Sequence, residues 1–418
     1  MKLIKKFFLL CIIFLFSCNG DESDTLIIWT DRPEIAFYTA FFNASQDRFK
    51  AEVRYFDSPA RQLSLSQETP DIVIASWLNS ASTNIHFRPL DELFDLHGLE
   101  ISSFYPQLLA LGRINDRQLL LPVNFNLPSI IFPRERLNIS ANPFIIELGE
   151  VMDGAKIYNT EAREAYSTVG FSPLYNDDFL YTTAVLFGSS FMENSSSAAA
   201  LPVSWDNSSL DEAIYWLLSW FDDGNTSIQM NDDFAYRYFF TPPDRLINSG
   251  RILFTYMDSS EFFTLPEERR INLSFRWLGV NERIPVNGGS VFYGIHRRSR
   301  VRRAYEAYTL WFFSEETQRQ LLDASREERL DELSFGIAGG FSAKRTVTEQ
   351  IFPQFYPALL GHSPPESYLS PPMILPRSWM SIKERVIIPY IQDRIRRQDT
   401  DMPSLERRIS DWHRLNPN

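Results

Sequence analysis

Three pairs of adjacent acids, Asp177-Asp178, Asp222-Asp223 and Asp232-Asp233, are the residues whose type could most simply support catalysis. Glycoside hydrolysis needs two carboxyls about 5–10 Å apart across a cleft. Adjacency in sequence does not supply that separation, and neighbouring acids usually share a solvated loop or helix end, which is the reading for the second and third pairs. Ser342 and Lys344 form an SxK pair of the kind that Ser–Lys hydrolases use. A turn serine beside a surface lysine gives the same three letters. The five histidines, His86, His97, His296, His362 and His413, show no HxxxH spacing, so no zinc centre is expected. The chain contains no GxxxxGK[ST], GxGxxG or GxSxG. These residues lead us to expect no metal, no cofactor and no catalytic group.

The N-terminus carries a different chemistry. Lys2, Lys5 and Lys6 precede an apolar run from Phe7 to Phe16, which is too short to span a bilayer and has the architecture of a secretory signal. Leu15-Phe16-Ser17-Cys18 looks like a bacterial lipobox, whose cysteine becomes an acylated N-terminus; ordinary cleavage elsewhere would leave Cys18 free. Residues 1–17 are expected to be the leader and 18–24 a polar tether. Cys11 would be lost with the leader, so the mature body has no thiol for a disulfide. Losing three lysines and no acids moves the net charge from −12 to −15. Such acidity argues against nucleic acid and against electrostatic attachment to a membrane.

About 400 remaining residues exceed what one core usually supports, so two domains are expected. Aromatics make up 14% of the chain, including 34 phenylalanines, enough for large cores and an aromatic-lined cleft. Thr25–Trp29 and Asp71–Ala75 are buried-strand runs, Ala51–Phe56 alternates as a strand does, and Asp31-Arg32-Pro33 opens a helix bearing Ile35, Tyr38 and Phe42. Leu119–Val123, Ser129–Phe132, Arg251–Tyr256 and Ser290–Ile295 read as further strands. Ser208 to Gly224 is the clearest helix, with Ser208-x-x-Asp211 as its capping box. Arg302–Leu322 reads as one long amphipathic helix, and a last helix begins near Trp379. Strands alternating with helices imply an α/β fold with a largely parallel sheet.

Taken in order, TLIIWTD (25–31), TPDIVIASW (69–77), RQLLLPVNFNLPSIIFPRERL (117–137), INSGRILFTYMDSS (247–260) and NGGSVFYGIHRRS (287–299), followed by GGFSAKR and RSWMSIKERV, resemble the extracellular solute-binding proteins of family 1, receptors of ABC importers of the maltodextrin-binding type. The resemblance implies a two-lobed, periplasmic-binding-protein-like fold (type II), with residues 25–130 plus 285–335 in one lobe and 131–284 plus 336–418 in the other. It implies a monomer, lipid-anchored outside the cytoplasm, that holds a mono- or oligosaccharide between the lobes and delivers it to a membrane permease.

Carried over by position, the resemblance places Asp31 and Arg32 at a polar sugar contact, with helix capping as an equal alternative for Asp31. Trp77 falls at the cleft rim or in the core, and Asn126 where relatives have an acid. Asp178 and Tyr181 fall in a second-lobe contact region. Ser259 and Ser260 stand where relatives put an aromatic, with Phe262 as a substitute. Gly288 and Gly289 match a glycine pair, or simply a turn. Trp379 matches the main stacking platform. The chain has Phe132-Pro133 where relatives carry Tyr-Asn, so the ligand need not be a maltodextrin. A cell-surface glycan hydrolase and a transport-inactive adhesin stay open as alternatives.

Overall fold

The computed structural model describes residues 25–95, 99–161, 168–194, 201–223, 226–397 and 402–416. The leader, Cys18 and the tether lie outside the described residues. Nine strands build two sheets: β1 (Thr25–Thr30), β2 (Lys50–Tyr55), β3 (Ile72–Ser76), β4 (Leu121–Pro122), β5 (Pro128–Pro133), β6 (Ile145–Ile146), β7 (Thr255–Asp258), β8 (Leu273–Leu278) and β9 (Val291–Ile295). The first sheet has the order β2-β1-β3-β9-β4 and the second β7-β5-β8-β6. In the first, β1 runs parallel to both β2 and β3, while β9 returns antiparallel to β3. Every residue of β3 is buried, as expected of a strand covered on both faces.

Seven of the helices among the described residues position the candidate residues. Helix α1 (Glu34–Ser45) buries Ile35, Tyr38 and Phe42 against the first sheet. In the second lobe, α2 (Asp177–Leu186) is capped by Asn176, whose side chain accepts from the Phe179 amide at 2.9 Å. Helix α3 (Asn207–Asp223) starts one residue earlier than the sequence suggests. Its cap is Asp206, which accepts from the Ser209 amide at 2.7 Å and from the Ser208 hydroxyl, so Ser208 is a donor to the cap rather than the cap itself.

The long helix expected over 302–322 is instead α4 (Arg302–Phe312) and α5 (Glu315–Glu327). The break places Ser314 in an extended conformation and buries both Phe312 and Phe313, which one continuous helix would aim about 100° apart. The strand expected from Arg251 begins only at Thr255, because the Leu253 and Phe254 amides bond Gly170.

Trp379 opens a short helix, Trp379–Ile382, that passes through a π turn at Lys383–Ile387 into α6 (Ile388–Arg397), and α7 (Leu405–Leu415) follows. Pro389 accounts for the π turn: its ring has no N–H for the Arg385 carbonyl and would clash with it, so the helix widens there. Pro353 has the same relation to the other π turn, Val347–Ile351.

The two sheets are bridged by crossing segments around Asn124–Leu127, Gly279–Gly289 and Leu333–Lys344. The last of these pairs Phe341 and Ser342 with Phe125 and Asn124, and stacks Phe335 on Phe263 at 4.9 Å. One aromatic core therefore runs continuously from the first sheet into this crossing region.

Candidate functional site

Side-chain partners decide three of the readings left open by the sequence. Ser342 donates to Gln318 Oε1 at 2.6 Å, whereas Lys344 donates to Ser103 at 2.5 Å and lies over the Phe104 ring. Both residues are buried, so Lys344 is not a surface lysine beside a turn serine, and its ammonium is engaged by Ser103 rather than by Ser342. Asp232 is not merely solvated: both its oxygens accept from Arg396 at 2.9 Å, and Tyr175 adds a bond at 2.7 Å. Phe262 does not replace a cleft aromatic, since it is 1% exposed among Phe263 and Phe275.

The ten residues singled out for ligand contact fall along two strings of contacts that meet at Asn287-Gly288. The polar string begins at the end of β1. Asp31 accepts from the Ser76 amide at 3.2 Å and α1 has no side-chain cap, so this carboxylate joins β1 to β3 and does not cap the helix. Burial pushes the Asp31 carboxyl up, and the adjoining Arg32 guanidinium opposes the shift. Arg32 donates to Ser76 Oγ at 2.7 Å and points toward Gly339, the first residue of the expected GGFSAKR segment. The Gly339 carbonyl accepts from Asn126 Nδ2 at 2.8 Å, and Asn126 Oδ1 accepts from Ser259 at 2.7 Å. Both ends of the Asn126 amide are thus engaged in the crossing region.

Ser260 donates through both its amide and its hydroxyl to Asp258 Oδ1 at 2.6 Å, and Asn287 donates to Asp258 Oδ2 at 2.5 Å. Asp258 caps the helix Ser259–Thr264 in a capping box with Glu261. Burial pushes the Asp258 carboxyl up against these hydrogen bonds, and the Asp178 charge adds to the rise. Sequence reasoning passed over Asp258, although Asp-Ser-Ser-Glu is a legible capping pattern.

The aromatic string is apolar and crosses between lobes. Trp77, in the left-handed region at φ 63°, lays its ring on the glycine pair: a Cβ built at Gly289 would meet it at 3.0 Å, and one at Gly288 at 3.5 Å. Gly289 is itself left-handed at φ 92°, so both its conformation and its closeness to Trp77 require glycine. On the other side of Gly288 stand Leu375 and the Trp379 indole.

Trp379 is 1% exposed, with Phe191 at 5.2 Å and Tyr181 at 5.8 Å between ring centres. Lys383 lies over the Tyr181 ring and donates to Asp178 Oδ1 at 2.7 Å. Lys383 and Phe191 were missed in the sequence, yet Lys383 stands four residues after Trp379, one helical turn away and on the same side.

Beside this string opens a cleft of about 350 Å³, lined by Tyr181, Phe191, Arg283, Asn287, Gly288 and Met373, among others. Its size lies in the range of small-molecule sites. A separate recess of about 20 Å³, room for about one water molecule, lies against Trp77, Gly288 and Gly289. The arrangement offers aromatic faces, an amide, a guanidinium and backbone groups, but, among the described residues, no nucleophile paired with a base.

Two α/β lobes, three crossings and a cleft at the crossing define the two-lobed fold of periplasmic binding proteins. Solved structures agree. The maltose-binding periplasmic protein of Listeria monocytogenes, in complex with maltose, matches with a TM-score of 0.64 and 12% identity, over 95% of this chain and all of that one. The cyclic α-maltosyl-1,6-maltose binding protein of Arthrobacter globiformis matches with a TM-score of 0.61 and 12% identity, over 92% and 96%. An ABC substrate-binding protein from Listeria monocytogenes, in complex with cycloalternan, matches with a TM-score of 0.59 and 12% identity, over 94% and 98%. No protein-family model and no curated protein matches the chain.

Proposed function

We propose that the protein is an extracytoplasmic receptor that binds a carbohydrate-like solute between its lobes and hands it to an ABC permease, without chemical change to the solute and as a monomer. The observation that carries the reading is the 350 Å³ cleft where Tyr181 and Phe191 of the second lobe face Asn287 and Gly288 of a crossing segment. Aromatic faces suit the apolar C–H surface of a sugar, and amide and guanidinium groups suit its hydroxyls. That the three structurally similar proteins are binding proteins, two named for the sugars they bind and one held with a cyclic one, supports the same reading.

In this reading Asp31, Arg32, Trp77, Asn126, Asp178, Tyr181, Ser260, Gly288, Gly289 and Trp379 frame the closed site. Residues 25–130 with 285–335 form one lobe and 131–284 with 336–418 the other, the stretch around Phe341 leaning on the first. A solute that prefers the closed arrangement draws the lobes together.

Ligand binding raises stability by RT ln(1 + [L]/Kd), about 2.7 kcal/mol at a hundredfold excess over Kd. A thermal-shift panel of mono- and oligosaccharides is therefore expected to give at least one sugar with a concentration-dependent rise in melting temperature. A panel that leaves the melting temperature unmoved, with calorimetry equally silent, would remove sugars from the proposal.

Lipid attachment at Cys18 is the second part of the proposal, resting on the leader and lipobox-like sequence. Mass spectrometry of the protein from its own membranes is expected to show loss of residues 1–17 and added acyl mass on Cys18. An unmodified Cys18 in that spectrum would rule out the anchor.

A further inference from the structure

The run His296-Arg-Arg-Ser-Arg-Val-Arg-Arg303 places five arginines in seven positions of a chain whose net charge is −12. Arg297, Arg298, Arg300, Arg302 and Arg303 are all exposed. Arg302 is paired with Glu306 and Glu92, but among the described residues the guanidinium groups of Arg297, Arg298, Arg300 and Arg303 have no carboxylate partner.

The loop that carries them is fixed from beneath. Arg88 donates to the Arg297 and Ser299 carbonyls, both at 3.0 Å, and to the Tyr305 hydroxyl at 2.8 Å. Ser299 is buried and donates to Asp71 at 2.7 Å. His296, 3% exposed, is pushed down to about 4 by burial and by the neighbouring His86 and arginines, so it adds no charge at neutral pH. Arg302 and Arg303 also occupy the first turn of α4, where the helix dipole disfavours cations, so helix stability does not explain the cluster. A rigid loop holds like charges together at an energetic cost.

The position of the loop identifies its counterpart. The Asp71 carboxylate that binds Ser299 also accepts from the Ile27 amide at 2.9 Å, two residues after Thr25 where the described chain begins. In the sheet Ile28 and Ile295 both stand opposite Ile72. The arginines therefore leave the first lobe at the edge where the chain enters it, while Asp31, Arg32 and Trp77 stand at the opposite ends of the same strands. Seven tether residues reach at most about 25 Å.

We infer that the arginines of 297–303 form a docking face for the anionic phosphate headgroups of the membrane that holds the anchor, holding the first lobe against it when the receptor is not engaged with a permease. The inference rests on the Cys18 anchor for the direction from which the membrane approaches. Net acidity does not oppose it, because at physiological salt charges more than about 8 Å away are largely screened and the local cluster decides.

The test uses the chain from residue 18 onward with Cys18→Ser, which keeps every residue of the three hydrophobic cores. It is sedimented with vesicles of phosphatidylcholine alone and of phosphatidylcholine with phosphatidylglycerol. Binding is expected only to the anionic vesicles and is expected to vanish at high salt. Replacing Arg297, Arg298, Arg300 and Arg303 together by Ser is expected to lower binding at least about tenfold, and replacing the same four by Lys to preserve it. A melting temperature no lower than the parent's checks that each variant is folded.

Equal binding to both vesicle types, no binding at all, or binding that the serine variant retains would overturn the docking face. Since no acyl chain is present, these failures leave the anchor itself standing, and an unacylated Cys18 in the mass spectrum would refute the anchor without this assay.

Discussion

Trp379→Ala is expected to lower the stability of the ligand-free protein by about 3–5 kcal/mol, the range for removing a large aromatic from a closed core. The indole is 1% exposed and packs among Phe191, Tyr181 and the backbone at Gly288, so its loss leaves a cavity bordered by the second lobe and a crossing segment. A residue serving only as a platform in an open groove would cost far less, because its face would already be in water. Trp379→Phe separates the two roles: it keeps a ring in the aromatic cluster and is expected to recover most of the stability. Calorimetric melting of the three proteins checks this. A loss below about 1 kcal/mol for the alanine variant would mean that the indole is not packed as described.

The same packing sets what a sugar must do to reach this ring. Phe191, Tyr181 and Leu375 cover it, so stacking on Trp379 requires these side chains to move aside. The open cleft lies one step away, against Tyr181 and Asn287, where no cover has to move. A sugar that fills this space first and displaces the aromatic cover second would bind in two steps, with differential affinity for the parted state driving the second.

How much of this was legible follows the range of each signal. β1 and β3 are apolar runs covered on both faces, and their sequences give them away. The glycine pair stood out only through the family resemblance; the left-handed φ at Gly289 and its closeness to Trp77 were not readable from the sequence. What could not be read was any feature fixed by a distant partner. Asp31 has the form of a helix cap, but Ser76, 45 residues on, takes its carboxylate. The break at Phe313–Ser314 follows from two phenylalanines with separate burial sites, which periodicity along one helix cannot express. Asp232 looked like a solvated acid until Arg396, 164 residues away, came beside it. Lys383 lay within local reach of Trp379 at four residues, yet its partner Asp178 did not. Net charge is blind to the arginines of 297–303 for the same reason: −12 describes the whole chain, whereas they share one edge of one lobe.

Gly289→Val tests the seam between the lobes more sharply than any substitution of a polar contact. At φ 92° a β-branched residue is strained, at about 1–3 kcal/mol, before any neighbour is considered. Its Cβ would also stand 3.0 Å from the Trp77 ring, with two methyls still to be placed beyond it. Trp77 has little freedom to withdraw, since its own φ of 63° is sparsely populated and the 20 Å³ recess against it cannot take the displaced ring. Overpacking adds about 1–3 kcal/mol, for a total of roughly 2–6 kcal/mol. Gly288→Ala, with ordinary backbone and its Cβ 3.1 Å from the flexible end of Leu375, is expected to cost clearly less.

The distinguishing readout is ligand response. If the lobes close by seating Trp77 on this turn, the valine variant holds them apart, and any sugar that stabilises the parent is expected to lose its thermal shift even at temperatures where the variant is folded. A valine variant whose stability lies within about 0.5 kcal/mol of the parent's, or that melts early yet keeps the full sugar-dependent shift, would show that Trp77 and the glycine turn do not form the closing contact.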